Sequence, residues 1–244
     1  MKFINRIITN LTNDLSNTDF SEGEIILVDK PSGLTSFQVV NKIRKITGVK
    51  KVGHSGTLDP MASGLLIICT GKKTKQMEQF INSTKTYTGI IRLGLKSASM
   101  DLETECIEQS LPADLDEKKI LSIRNEFLGE IEQIPPMYSA VKVNGKKLYN
   151  LARKGKTIER TSRKIFIEKF EIEKINLPDL EFTITCSKGT YIRVIANDFG
   201  EKLGCGGILA ELRRTKIGDF DVSDALKLND FSSQIFSSEN YVQG

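Results

Sequence analysis

The sequence predicts an α+β protein, and three observations carry that reading. Leu180 to Ser187 alternates apolar Leu180, Phe182, Ile184 and Cys186 with Glu181, Thr183, Thr185 and Ser187, the period of a half-buried strand. Two continuous apolar runs, Ile25 to Val28 and Leu65 to Cys69, are short enough to be buried strands. Phe37, Val40, Ile43 and Ile46, joined by Val39, keep helical spacing, with Ser36 as N-cap and Gly48 as stop.

Taken in order, the opening residues lack the apolar core of a signal peptide and read as a short helix or a loosely held extension. The strand from Ile25 runs into a turn at Pro31 to Gly33. The helix over 36–47 leads to a glycine-rich loop, Val52 to Gly64, and then to the second buried strand. Met77, Phe80 and Ile81 suggest a short helix, and Thr86 to Leu93 a strand with Tyr87 near its start. Asp101 to Asp116, with six acids and no base, belongs to a polar loop. Ile120, Ile123 and Phe127 mark a helix that ends at Gly129. Pro135 and Pro136 then forbid helix, and Asn144-Gly145 signals a tight turn. The half-buried strand over 180–187 feeds an amphipathic helix to about Leu203. After the break at Gly204 to Gly207, Leu212 reads as a helical leucine.

Composition bounds the function. At 244 residues the chain is one large domain or two small ones, with 39% hydrophobic and 27% charged residues. No apolar run approaches the roughly 18 residues of a membrane span, so a cytoplasmic protein is expected. Lysine plus arginine number 35 against 31 acids. A net charge of +4 permits a polyanionic partner without demanding one, although the stretch Arg153 to Lys169 is strongly basic. The four cysteines, 69, 106, 186 and 205, form no C-x-x-C pair, and there is one histidine. Zinc-ligand spacing is absent, no metal or cofactor is expected, and Cys69 and Cys186 read as buried thiols.

The chain is organised around Val52 to Gly71, VGHSGTLDPMASGLLIICTG. Gly56 and Pro60 bracket Thr57-Leu58-Asp59 and favour a bent backbone, so Asp59 sits on a rigid loop feeding a buried strand. An Asp-Pro pair is ordinarily an Asx-turn. Here His54, Gly56, Thr57, Leu58, Asp59, Pro60, Ala62, Gly64, Leu65 and Leu66 stand in the order H-x-G-T-L-D-P-x-A-x-G-L-L. That long motif resembles the central motif of the TruB family of tRNA pseudouridine synthases, and the resemblance makes Asp59 the catalytic residue.

Further motifs carry the same resemblance from Glu24 to Phe220. Asp29-Lys30-Pro31 resembles the family's lysine–proline motif, although Lys30 by itself is a surface lysine at a turn. Lys85-Thr86-Tyr87 resembles the segment whose tyrosine stacks on the target base. On β-propensity alone Tyr87 is a packing residue. The run from Pro135 to Arg153, P-P-x-Y-S-A-x-K-x-x-G-x-x-x-Y-x-x-A-R, resembles the family's mobile RNA-gripping thumb. Lys188-Gly-Thr-Tyr-Ile-Arg193 resembles the motif whose arginine pairs with the catalytic aspartate, with Tyr191 in the uridine pocket; the plain reading of Arg193 is a surface arginine. Leu209 to Phe220, L-x-x-L-R-R-T-x-x-G-x-F, completes the signature, and Leu212 aligns with the pocket leucine, a role compatible with plain core packing. His54 is expected to prop the stack vacated by a flipped base, with a structural histidine as the alternative.

The resemblance implies the pseudouridine synthase fold: a mixed, largely antiparallel sheet with flanking helices and a thumb-like insertion at about 134–164. The expected organisation is an N-terminal extension (1–23), one catalytic domain (24–222) and a short tail (223–244). After Phe220 too few residues remain for the small RNA-binding PUA domain that many members carry. The implied activity is isomerisation of uridine to pseudouridine at position 55 of the tRNA T loop, without cofactor, by a monomer whose partner is the T arm. A sibling synthase acting on another RNA is the near alternative. A non-catalytic RNA-folding chaperone is the alternative from a different class.

Overall fold

A computed structural model of the chain describes residues 7–12, 14–139, 141–143 and 145–235. Asn144 of the expected tight turn, Ala140 of the thumb-like motif, and the outermost parts of the N-terminal extension and the tail lie outside the described residues. The fold is α+β, with mixed and mostly antiparallel strand pairing. The chain forms two compact units. One comprises the chain up to Tyr87 together with Arg213 onward, the other Thr88 to Leu212. The chain leaves the first unit within the strand Lys85–Leu93 and returns within the strand Gly207–Ile217.

The first unit is built on two apolar strands. Ile25–Lys30 and Ser63–Thr70 pair antiparallel, from Ile25 opposite Cys69 to Lys30 opposite Gly64. Both faces of this pair are covered, which is why both strands read as unbroken apolar runs rather than alternating ones. On one face Ile26, Val28, Leu66 and Ile68 pack with Val39, Val40 and Ile43 of the helix Ser36–Thr47 and with Phe231. On the other, Ile25, Leu27, Leu65 and Ile67 pack with Met77, Phe80 and Ile217. Among the described residues up to Phe20 there is no helix: Ile7–Ile8 pairs parallel with Ile25 and Ile26, and Leu15 and Phe20 are buried in the first of these clusters.

Two expectations for the helix Ser36–Thr47 are corrected. Its N-cap is Thr35, not Ser36: Thr35 and Gln38 form a reciprocal capping box, and Gly48 closes the helix in the left-handed region as expected. Phe37 also leaves the apolar face, at 61% exposed. Val39, Val40 and Ile43 suffice to fill the contact with the sheet.

In the second unit, Arg163–Asn176 is flanked antiparallel by Asp179–Cys186 and by Gly129–Gln133. The helices Glu117–Asn125 and Ile192–Leu203 belong to this unit, and Phe127, Phe170, Phe182 and Phe199 form a chain of ring contacts. The acidic stretch is not wholly loop, because Leu95–Ser97 and Cys106–Glu108 pair as a short hairpin. Within the segment expected to be thumb-like, Lys142–Val143 pairs with Lys146–Lys147, followed by the helix Leu148–Ala152.

Leu212 stands on a strand, not a helix. From Ala210 to Thr215, Ala210, Leu212 and Arg214 are buried while Glu211 is exposed and Arg213 and Thr215 are half-buried, an alternation of period two. The alternation is masked in the sequence because one of its buried members is an arginine.

Candidate active site

Asp59 is presented by a loop that leaves one edge of the strand Ser63–Thr70. Along that edge Val52–His54 pairs with Ile68 to Thr70, and Arg213 and Arg214 pair with Ser63 and Gly64. Between these two ladders the edge strand has backbone groups that need partners. Ser55 supplies two, its amide donating to the Ile67 carbonyl at 2.9 Å and its hydroxyl accepting from the Ile67 amide at 3.1 Å. Arg214 supplies the third, Nε donating to the Leu65 carbonyl at 2.7 Å, while Nη2 reaches the Gly56 carbonyl at 3.2 Å. The Asp59 loop is thus spliced into the sheet edge rather than draped over it.

Its far side is tied as well. The Ser36 hydroxyl accepts from the Leu58 amide at 2.9 Å and donates to the Leu58 carbonyl at 3.3 Å. The Pro60 carbonyl accepts from the Gly33 amide at 2.8 Å, and the Met61 carbonyl from the Ser32 hydroxyl at 2.8 Å. Leu58 is buried and Asp59 half-buried, so an apolar neighbour pins the loop while the carboxylate stays at the surface of the unit.

Lys30 is no surface lysine. It is fully buried, and its ammonium donates to the carbonyls of Leu34 at 2.6 Å, Pro31 at 3.0 Å and Pro60 at 3.4 Å. Burial pulls its pKa down from 10.5 to about 8; the Asp59 carboxylate opposes that fall and the Arg214 guanidinium adds to it. His54, half-buried, accepts the Gly56 amide on Nδ1 at 3.3 Å. Burial lowers its pKa, and the Arg214 guanidinium adds to that fall. Its ring is therefore neutral at pH 7 and held in place. Tyr87, 9% exposed, packs on the strand Lys85–Leu93 in the same unit.

The remaining expected residues lie in the second unit. Arg193 opens the helix Ile192–Leu203 and is 3% exposed. Its guanidinium donates to the carbonyls of Ser99 and Tyr138, each at 2.8 Å, and its Nε lies 3.4 Å from Asp101 Oδ2. Asp101 is 1% exposed and follows Met100, a non-glycine residue in the left-handed region. Tyr191, half-buried, has its backbone clamped by Gln133: the Tyr191 amide donates to Oε1 at 2.8 Å, and Nε2 donates to the Tyr191 carbonyl at 3.1 Å. The Arg163 guanidinium stands 5.7 Å over the Tyr191 ring. Leu212 is 9% exposed on its strand.

Lys30, His54, Asp59 and Tyr87 thus share one unit, and Tyr191, Arg193 and Leu212 the other. Sequence reasoning missed Ser36, Arg214, Asp101 and Gln133 as positioning residues. Only Arg214 left a trace, as the charged member of an otherwise apolar alternation. Among the described residues no cluster of histidine, cysteine or carboxylate side chains is arranged to hold a metal ion, and no helix is long and apolar enough to cross a membrane.

Against this geometry the comparisons are decisive. Residues 44–192 match the N-terminal domain model of the TruB family of pseudouridylate synthases, and residues 193–243 match the C-terminal domain model of tRNA pseudouridylate synthase B. The chain belongs to the TruB family. It is 46% identical over 225 residues to tRNA pseudouridine synthase B of Flavobacterium johnsoniae, covering 89% of this chain and 98% of that one. With the namesake protein of Chloroherpeton thalassium it shares 49% over 227 residues, covering 91% and 94%. Among solved structures it is similar to a chain in a crystal structure of a Cbf5–Nop10–Gar1 complex, with a TM-score of 0.68, 32% identity and 88% of this chain covered. This chain spans 55% of that one's length. Family membership makes the protein a pseudouridine synthase and supports the pseudouridine synthase fold expected above.

Proposed function

We propose that the chain isomerises uridine to pseudouridine at position 55 in the T loop of tRNA, with Asp59 acting at the ribose. The observation that carries this reading is the immobilisation of Asp59, on a loop tied through Ser36, Ser55, Gly33 and Arg214, in a family member whose relatives are named for tRNA. The reaction breaks the N1–C1′ bond, turns the uracil and forms a C5–C1′ bond, while the proton on C5 is lost and N1 gains one. Nothing is oxidised and no atom enters or leaves, so no cofactor is required. An anionic group beside the sugar is required, and a carboxylate held by backbone anchors meets that need without reorganisation.

Asp59 must stay ionised on binding a substrate that excludes water, and a nearby cation favours its charged form. The Lys30 ammonium is already in electrostatic contact with it. In this reading Tyr87 stacks on the uracil so that the detached base is retained, and Tyr191, Arg193 and Leu212 take the roles that the family resemblance implies for them. The neutral His54 ring occupies the stack vacated when the nucleotide is flipped out.

The test is pseudouridine mapping on unmodified elongator tRNA incubated with the purified chain, without metal or nucleotide. Conversion at position 55, lost in Asp59→Ala with tRNA affinity nearly unchanged, supports the assignment. Turnover by Asp59→Ala refutes the role of the aspartate. Conversion at another site, or in another RNA only, refutes the T-loop assignment, and tight binding without conversion points to a folding chaperone.

A further inference from the structure

The exposed aromatic ring of Phe37 is not used by the reaction above. A single exposed phenylalanine is ordinary. This one is not single in its surroundings. Phe37, Asn41 and Arg44 lie at i, i+4 and i+7 on one stripe of the helix Ser36–Thr47. The Arg44 guanidinium stands 5.9 Å over the Phe37 ring. It is held there by two bonds, Nη1 to Asn41 Oδ1 at 3.3 Å and Nη2 to the Val52 carbonyl at 3.2 Å. One face of the ring is thus covered by a fixed cation, and the residue remains 61% exposed.

Charge and position narrow the occupant. From residue 30 to residue 58 the chain carries six lysines and arginines and no carboxylate. Phe37 directly follows Ser36, whose hydroxyl holds Leu58, so the helix that carries the ring also anchors the Asp59 loop. A flat apolar face backed by a guanidinium and set in a carboxylate-free basic stretch matches a nucleobase joined to phosphates; it does not match an acidic peptide, which would leave the ring unused.

We propose that Phe37, backed by Arg44, is a stacking platform for an unpaired base of the substrate RNA next to the one that is modified. The proposal rests on the RNA-isomerase reading and deepens it. Stacking of this kind is sequence-tolerant, since every base offers a π face. It holds substrate and transition state alike, and so acts on binding rather than on the chemical step.

The experiment compares wild type with Phe37→Ala, Phe37→Leu and Phe37→Trp on an unmodified T-arm stem-loop RNA, reading Kd, KM, kcat and melting temperature. Phe37→Ala and Phe37→Leu are expected to weaken binding about 5- to 150-fold, with kcat at saturation and melting temperature close to wild type. Phe37→Trp is expected to bind as well as wild type or better. Replacing one unpaired nucleotide of the RNA by an abasic site should reproduce the loss and add nothing to it in Phe37→Ala. Wild-type affinity in Phe37→Ala or Phe37→Leu overturns the platform, as does full additivity at every abasic position. A wild type that converts the RNA regardless of Phe37 overturns the platform alone. A wild type whose binding depends on Phe37 but which makes no product supports the platform and overturns the isomerase reading. A wild type that does not bind the RNA overturns both.

Discussion

The Ser36 hydroxyl and the Leu58 backbone exchange two hydrogen bonds, accepted at 2.9 Å and donated at 3.3 Å, one residue before Asp59. Both residues are buried, so water cannot replace either bond. Ser36→Ala leaves a buried amide and carbonyl without this partner and is expected to cost about 1–3 kcal/mol of stability. Because the lost anchor is next to the carboxylate, kcat should fall while KM for tRNA changes little. Thermal melting together with single-turnover conversion checks this. Wild-type kcat in a destabilised Ser36→Ala protein would show that the clamp serves folding alone.

Arg193 and Asp101 form a buried ion pair with both side chains nearly inaccessible. Removing one partner strands a charge, so Asp101→Ala is expected to cost about 3–5 kcal/mol. Arg193→Lys keeps the charge but cannot donate to the Ser99 and Tyr138 carbonyls and face Asp101 at the same time. It should keep more stability than Asp101→Ala and still lose most of the conversion rate. Denaturant titration and single-turnover rates on both variants check the order.

Lys30 sets a pH dependence. Its folded pKa of about 8 lies below the ordinary 10.5, so the buried ammonium opposes folding below pH 8, and that penalty is relieved as pH rises from about 8 towards 10.5. Activity runs the other way. A neutral amine has two N–H groups for the three carbonyls of Pro31, Leu34 and Pro60, and it no longer lends a positive charge to Asp59. The kcat/KM profile is expected to fall above about pH 8, and Lys30→Arg to move that limb to higher pH. NMR titration of labelled lysine side chains checks the pKa directly. A Lys30 resonance titrating near 10.5 would remove the basis for the limb.

Gly64 stands in the left-handed region, and a Cβ there would meet the Arg214 carbonyl oxygen at 2.2 Å and the Arg214 nitrogen at 2.7 Å. Both are backbone atoms, so a rotamer change offers no relief. Gly64→Ala should therefore push the strand bearing Arg214 away from Leu65 and Gly56, lowering the melting temperature by roughly 3–10 °C and lowering activity with it. Gly33→Ala is the control: it shares the positive φ, but no atom lies within 4 Å of its Cβ. A Gly64→Ala protein as stable as the control would refute the close-approach account.

Much of the fold was legible where local pattern and burial agree. The strand Asp179–Cys186 alternates as its sequence does, and the runs from Ile25 and Leu65 are strands covered on both faces. Legibility failed where one side chain breaks its own class. Arg214 hides a strand because a buried guanidinium reads as surface, and Phe37 keeps the helical spacing of Val40 and Ile43 in the sequence yet faces solvent in the fold. Ser36 reads as a cap in the sequence, but its bonds go across the fold to Leu58 and Thr35 takes the cap.

The sequence by itself determined the family, the identity of the loop aspartate and the presence of the lysine, tyrosine and arginine motifs. These are matters of residue type and spacing, which no fold can alter. Only the tertiary structure decided that Lys30 is buried in a cage of carbonyls, that Arg214 splices the Asp59 loop into a sheet edge, and that Asp101 receives Arg193. The farthest of these bonds joins Arg214 to the Gly56 carbonyl across 158 residues of sequence. A side chain's partner is whichever group is short of a hydrogen bond once the chain is packed, and that shortage exists only in the folded state.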